Sequence, residues 1–227
     1  MALLGQAALA MWWNMAPGMR ADFEDWHTHE HFPERLGVPG FLRGSRWTSA
    51  DGGEGIFVLY ELDGHEVLSS PEYTARLNAP TPWSTRLMPH HRDMVRTQNR
   101  VLHSRGSAIA RVALTIRLSP AEGRFDDLRK GLQAVIDAVV STPGLSGAHL
   151  LRHETPAMAQ TTEQKIRGGR DQVADCVLVV CAYDLSALSA LAATTLSAQS
   201  LQGLGAAPGQ ESGIYALSHS ATPQDVR

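Results

Sequence analysis

Two cysteines in 227 residues, no block of lysine or arginine, and no opening segment long enough to span a bilayer set the first limits on this chain. Cys176 and Cys181 lie in "DCVLVVCAYD", a strand-like run in which side chains alternate with period two. Residues five apart then point to opposite faces and cannot bridge each other. With no disulfide framework, a reducing cytoplasm is the expected compartment. Neither thiol has a histidine close in sequence, so neither is read as a nucleophile. The net charge of −3 and the lack of basic blocks argue against nucleic acid or an anionic membrane as partner. The opening "MALLGQAALAMWWNMAPG" is apolar, yet it has no basic residue before Arg20 and carries two tryptophans where a secretion signal has simple aliphatics. It reads as a buried strand. A Gly-rich phosphate loop is also missing, since "GGR" at 168–170 has no strand-to-helix context, and so is a serine nucleophile elbow.

What is present is ample core material: 43% hydrophobic residues against 19% charged. The length suits one large domain or two of about 110 residues, and the chain contains a repeat. "AALAMWWNM" (7–15) and "RVALTIRLS" (111–119) are strand-like, and each precedes a helical segment, 20–32 and 124–140. Each helix leads to a Pro-Gly turn, Pro39-Gly40 and Pro143-Gly144, offset by 104 residues, and then to a second strand. Third strands follow in "GIFVLYELD" (55–63) and "DCVLVVCAYD" (175–184), each ending in aspartate before another helix. "NRVLHS" (99–104) and "GIYALSHS" (213–220) close the halves, and the second half carries an insertion of polar, loop-like residues within 155–172.

The order β-α-β-β-α-β in each half is that of a ferredoxin-like unit. One such sheet is covered by helices on a single face. The strands "FVLY" and "CVLVVCAY" are apolar on both faces, so the second face needs cover too. The predicted fold is therefore α+β: two tandem ferredoxin-like units, residues 1–107 and 108–227, whose antiparallel sheets pack into an intramolecular barrel with the helices outside. In strand 112–118, Val112, Leu114, Ile116 and Leu118 suit the helix side, while Arg117 falls either in the shared interior or at an edge.

Three stretches carry a resemblance: "DWHTHEHFPERLGVPGFLRGSRW" (25–47), "VLYELDG" (58–64) and "TPWSTRLMPHHRDMVR" (81–96). Together they resemble the dimeric α/β-barrel superfamily, within it the branch of the ether-degradation accessory protein and the small polyketide cyclases. The likeness is strongest from Trp26 to Phe41 and covers the first half; the second half matches in architecture alone. It implies the barrel. Members of the superfamily include cofactor-free oxygenases, cyclases, isomerases and heme-dependent enzymes, so the chemistry does not follow from the fold. His27 and His29 depart from the family pattern.

The segment "FEDWHTHEHFPERL" (23–36) is the richest in chemistry. At about 100° per residue, Phe23, Trp26, His27 and Glu30 share a helix face, His31 borders it and His29 turns away. Pro33 cannot donate to the carbonyl of His29, so the helix is expected to break or kink there. A solvated acidic helix is the plain alternative. Shifted by 104, His27, Glu30 and His31 fall on Gly131, Ala134 and Val135, so the second half kept none of these groups. A single pocket in the first half follows.

A histidine beside a carboxylate is a workable acid–base pair. We assign His31 as base or acid, Glu30 or a neighbour as its orienting group and His27 as a third member, with the imidazole titrating near pH 6–7. The pocket is expected inside the barrel, lined by Trp13, Trp26, Tyr60 and Trp83, with His90 (or His91) reaching its mouth from a second helix or turn. Arg96 and Arg117 could meet an anionic group, though surface roles are preferred. His27, Glu30 and His31 formally match H-x-x-E-H, a metalloprotease pattern, but Pro33 follows at once and no downstream ligand helix is recognisable. No metal and no cofactor are expected. The functional expectation is a cofactor-free lyase, isomerase, cyclase or hydrolase acting on a small aromatic or unsaturated carbonyl compound. The alternative is a non-catalytic small-molecule binder or accessory protein, with a metal- or heme-dependent enzyme ranked below both. The expected partner is a small-molecule substrate, and a homodimer of the chain stays open.

Overall fold

Every strand of the molecule finds an antiparallel neighbour on both sides. The computed structural model describes residues 3–155, 159–168 and 171–226. Its strands are β1 (Ala7–Met15), β2 (Phe41–Ser49), β3 (Gly55–Leu62), β4 (His91–Gly106), β5 (Val112–Leu118), β6 (Leu145–His153), β7 (Cys176–Ala182) and β8 (Glu211–Ala221). They form one closed barrel in the order β1-β3-β2-β8-β5-β7-β6-β4. Within it, β4-β1-β3-β2 and β8-β5-β7-β6 are two ferredoxin-like sheets of the same order. Each seam joins the second strand of one unit to the last strand of the other, β2 to β8 and β6 to β4. The α+β fold of two tandem ferredoxin-like units in one barrel is thus the observed one.

Alternation of side chains divides the apolar residues into three cores. Trp12, Trp47, Phe57, Leu59, Ala113, Val179 and Cys181 point inward and fill the barrel. Phe57 is sandwiched between the two indoles, with ring centroids 5.1 Å from Trp12 and 5.0 Å from Trp47, and Trp12 donates to Thr115 Oγ1 at 3.0 Å. Arg117 lies at this end of the interior, its guanidinium 5.3 Å from the Trp12 ring and paired with Glu211. On the outer face of the second sheet, Val112, Leu114, Ile116 and Leu118 pack against Leu128, Leu132 and Ile136 of α5 (Phe125–Val139). The cysteines are split as their spacing requires, Cys176 on this outer face and Cys181 inside, and both are buried thiols. Burial pushes them up, to about 11 and about 12, so neither is a thiolate at neutral pH.

The first sheet carries α1 (Arg20–Trp26), a π turn (His27–His31), α2 (Phe32–Leu36), α3 (Pro71–Asn78) and α4 (Pro82–Leu87). At Pro33 the helix does not end; it is distorted just before the proline. Phe32 donates its amide to the carbonyl of His27, five residues back, and the chain stays helical from Arg20 to Leu36. The wider turn relieves the clash of the proline ring with the carbonyl of residue 29 and the missing donor at 33. A second difference lies at 88–91: Met88–His90 is a single 3₁₀ turn, and His91 already begins the long strand β4. A third is the insertion 155–172. Residues 156–158 and 169–170 lie outside the described residues, but the described part forms a helix, α6 (Thr162–Ile166), closed by a Thr161–Gln164 capping box. In the second unit α7 (Leu185–Ala193) and α8 (Ala198–Leu204) complete the cover. Among the described residues no helix is long and apolar enough to cross a membrane.

The Pro-Gly turns test the equivalence of the two units. Gly40 has φ +90° and Gly144 φ +88°, and a Cβ at either would come within 2.4 Å of its neighbour, Val67 Cγ2 or Ala187 Cβ. Gly40→Ala and Gly144→Ala should each cost about 2 kcal/mol or more, from the left-handed backbone and the overpacking together. Urea unfolding of the two variants checks this, and the two losses should be alike.

Candidate functional site

The cavity that gathers the sequence-predicted histidines lies between the first sheet and its helices, not in the barrel. The reason is steric, because Trp12, Trp47 and Phe57 occupy the interior. Trp12 and Trp13 are neighbours on β1 and so face opposite ways: Trp12 plugs the barrel and Trp13 lines the cavity. The cavity is walled by Leu9, Met11, Trp13 and Tyr60 of the sheet, Trp26, His27, His31 and Arg35 of the helix, and Tyr73, Met88 and His91. Met94 and Arg96 of β4 extend it, and Glu163 and Arg167 reach in from the second unit's insertion.

The π turn sets the histidines. His27 and His31, 1% and 7% exposed, stack with ring centroids 5.5 Å apart. Trp26 lies 4.4 Å from His31, and Phe32 lies 4.4 Å from His27. Arg35 follows four residues later, so His27, His31 and Arg35 form one stripe facing the sheet. His29 is exposed, as the helical spacing required.

Three predicted residues stand elsewhere. Glu30 does not line the cavity. Its carboxylate accepts from Trp26 Nε1 at 3.0 Å and from the hydroxyls of Thr81 and Ser84, which ties the helix to the start of α4 and fixes the Trp26 indole. Trp83 lies at the rim of the helix layer, donating to Asp22 Oδ1 at 2.9 Å. His90 is held in the 3₁₀ turn, and His91, next along the chain, takes the place expected of it. The carboxylate nearest His31 is Glu34, whose Oε2 lies 3.7 Å from Nδ1.

Burial governs the charge states. Desolvation first, and the Arg46 and Arg35 guanidiniums after it, hold His27 well below the ordinary 6.5; desolvation, Arg35 and His27 do the same for His31. Burial lowers His91 to about 4, against the hydrogen bond it donates from Nδ1 to the Met88 carbonyl. That bond fixes the neutral tautomer, leaving Nε2 unprotonated. All three are neutral imidazoles at pH 7, and the expected titration near pH 6–7 is displaced to the acid side. Burial raises Glu34, and Arg35 opposes the rise. Arg35 is 2% exposed and pairs with Glu163, itself 3% exposed, while Glu34 lies 3.5 Å from its Nη1.

Six polar atoms of cavity residues are buried without a hydrogen-bond partner: Trp13 Nε1, His27 Nδ1, His31 Nδ1, Arg35 Nη1, Tyr60 Oη and Arg167 Nε. Such orphans are rare in folded proteins, and their convergence on one cavity marks a place for a ligand. Most are donors, so the complementary group is an acceptor such as a carbonyl or carboxylate oxygen. Among the described residues, no group of three or more His, Cys, Asp or Glu side chains converges as a metal-holding set.

Sequence reasoning missed Arg35, Tyr73, Glu163 and Arg167. The i, i+4 stripe of His27, His31 and Arg35 was a usable signal for the first. Nothing in the sequence announced that the insertion of one unit would close the pocket of the other.

No family model and no curated protein matches the chain. Solved structures do. A candidate monooxygenase of Fusobacterium nucleatum subsp. nucleatum superposes with a TM-score of 0.63 at 7% identity, over 97% of this chain and 96% of that one. An anthrone oxidase-like protein gives 0.61 at 12% identity, over 96% and 93%. A candidate monooxygenase of Lactobacillus acidophilus gives 0.60 at 8% identity, over 96% and 97%. At these identities the likeness establishes the fold, the two-unit ferredoxin-like barrel.

Two outcomes follow from the site. The unfolded chain protonates its histidines near pH 6.5, whereas the folded chain resists down to about 4 at His91 and well below 6.5 at His27 and His31. In that window the unfolded state binds more protons, so stability falls as pH drops from 6.5 toward 4, by up to about 1.4 kcal/mol per pH unit for each histidine. Urea midpoints measured across that range should show the fall, and His91→Phe should make it shallower. Glu30→Ala should lower unfolding free energy by about 1–3 kcal/mol through its lost hydrogen bonds, while any turnover found for the protein persists; melting curves run beside the assay check both.

Proposed function

We propose that this cavity binds a small, flat aromatic or unsaturated carbonyl compound and that His31 removes a proton from it, as in cofactor-free lyase, isomerase or cyclase chemistry. The observation that carries the reading is the neutral, buried His31 set beside the Glu34 carboxylate and Arg35, whose Nη1 is ion-paired with Glu34 but makes no hydrogen bond. Proton abstraction next to a carbonyl or from a phenol turns a neutral imidazole into imidazolium and the substrate into an oxyanion. Arg35 Nη1, Tyr60 Oη and Trp13 Nε1 are donors available to the oxyanion, and Glu34 is near enough to His31 to favour the imidazolium. The same pair explains why a weakly basic imidazole suffices, because both charges that develop meet a compensating group in a dry site. Trp13, Trp26, Met11 and Met88 supply apolar walls for a flat body. His27, stacked on His31, holds the ring in place and is a positioning residue.

A second reading has support from the fold neighbours, two of them described as candidate monooxygenases and one as anthrone oxidase-like. In that reading the deprotonated substrate reacts with dioxygen instead of being reprotonated. The first step and its residues are the same.

The two halves are read as a tandem duplication divided at 107/108, supported by the reciprocal seams and the matching Pro-Gly turns. The finer kinship to the ether-degradation accessory protein and small polyketide cyclases rests on the 25–96 motifs alone.

A screen of small aromatic acids and ketones for thermal stabilisation, followed by turnover assays on the hits, tests the function. His31→Ala should reduce turnover by about a hundredfold or more at a temperature where its melting curve shows it still folded, and exposed His29→Ala should be silent. The acid limb of the pH profile should lie below 6.5, where burial has moved the imidazole. A fully active His31→Ala protein defeats the assignment, and oxygen uptake during turnover decides for the oxygenase reading.

A further inference from the structure

Resting on the reading just given, we infer that the substrate is an anion whose carboxylate is taken by Arg96 and Arg167 in an annex of the main cavity. The annex is small and is lined by Leu77, Arg96, Thr161, Gln164 and Arg167. It shares Leu77, Arg96 and Arg167 with the main cavity, so one ligand can occupy both. Arg96, in the middle of β4, is 8% exposed. Its guanidinium donates to Tyr73 Oη at 3.1 Å, a neutral partner, and among the described residues it makes no ion pair with a carboxylate. The other arginines of the cavity are matched. Arg35 has Glu34 and Glu163; Arg167 has Asp171 at 3.0 Å and Glu163 at 3.8 Å. Even so, Arg167 keeps its Nε buried and unpartnered.

A buried guanidinium without a counter-charge is costly, and a fold retains one where something else supplies the charge. The planar fork of an arginine suits the two oxygens of a carboxylate. Glu34, Glu163 and Asp171 are the acidic groups that would repel an incoming anion; Arg35 engages Glu34 and Glu163, and Arg167 engages Glu163 and Asp171. Met94 lies two residues before Arg96 on the same strand face, and with Met11 and Trp13 it forms an apolar path back toward His31. The substrate class is therefore a small aromatic or unsaturated carboxylic acid. Its ring lies against the tryptophan and methionines, its acid group in the annex, and its reacting carbonyl or phenol toward His31 and Arg35.

The experiment is a calorimetric titration of the full chain at neutral pH with three probes of one shape, 2-naphthoate, 2-naphthamide and 2-acetylnaphthalene. The acid should bind at least about tenfold more tightly than either neutral probe, the margin of a charge-assisted hydrogen-bond pair. Arg96→Gln, which keeps a donor for Tyr73, should erase that preference while leaving the affinity for 2-acetylnaphthalene little changed. Equal binding of acid and amide by the unmodified protein overturns the anion subsite and leaves the cavity reading standing. So does a well-folded Arg96→Gln protein that still prefers the acid. If Arg96→Gln does not fold, the three-probe comparison on the unmodified chain decides alone. Failure of all three probes to bind overturns the cavity reading itself, and the anion subsite with it.

Discussion

Closure of the sheet is the constraint on which the rest of the molecule depends. Each unit's strands are apolar on both faces, and helices cover only one. Joining β2 to β8 and β6 to β4 removes every exposed edge and turns the two bare faces inward onto each other. An eight-stranded barrel is just wide enough for side chains to fill, and here an indole–phenyl–indole stack fills it. The interior is thus a packed core. The candidate cavity lies instead on the outer side of the first sheet, under its helices.

The second unit shows what the same space looks like when it is used for stability. Gly131, 104 residues beyond His27, lies against Leu204, and Leu128, Leu132 and Ile136 pack into the sheet below. Replacing that aliphatic layer with His27, His31 and Arg35 forfeits hydrophobic burial and leaves polar atoms without partners. A fold tolerates such a loss where a site is held in its place. The proline contributes directly: by forbidding an ordinary turn at 33 it favours the wider one, and the wider turn brings His27 into register over His31.

The buried ion pair of Arg35 and Glu163 joins the halves across 128 residues of sequence. Both groups are nearly inaccessible, so removing either would leave an unmatched charge in the interior, an arrangement that costs about 3–5 kcal/mol in other proteins. Through this pair α6 is seated on the first unit, and the second unit takes part in the first unit's pocket. The cavity is lined by both units even though His27, His31 and His91 belong to one of them.

The sequence by itself determined the strand-and-helix order, the two-unit barrel, the opposite placement of the cysteines and the helix that carries the site. These follow from local periodicity and from apolar faces that must be covered, which one chain displays along its length. It also marked His27, His31, Trp13, Trp26 and Tyr60, because adjacent turns of one helix and alternating positions of two strands are local facts. Tertiary structure decided the rest. A helical wheel at ordinary pitch favoured Glu30 as the neighbour of the histidines, and the π turn with the Thr81 and Ser84 hydroxyls drew it away to α4. His91 instead of His90 reached the cavity because β4 begins one residue later than the turn. The neutrality of the histidines came from desolvation, and the partners Glu163 and Arg167 came from an insertion far along the chain. Burial and long-range pairing depend on what packs above a residue, and no spacing within a segment encodes that.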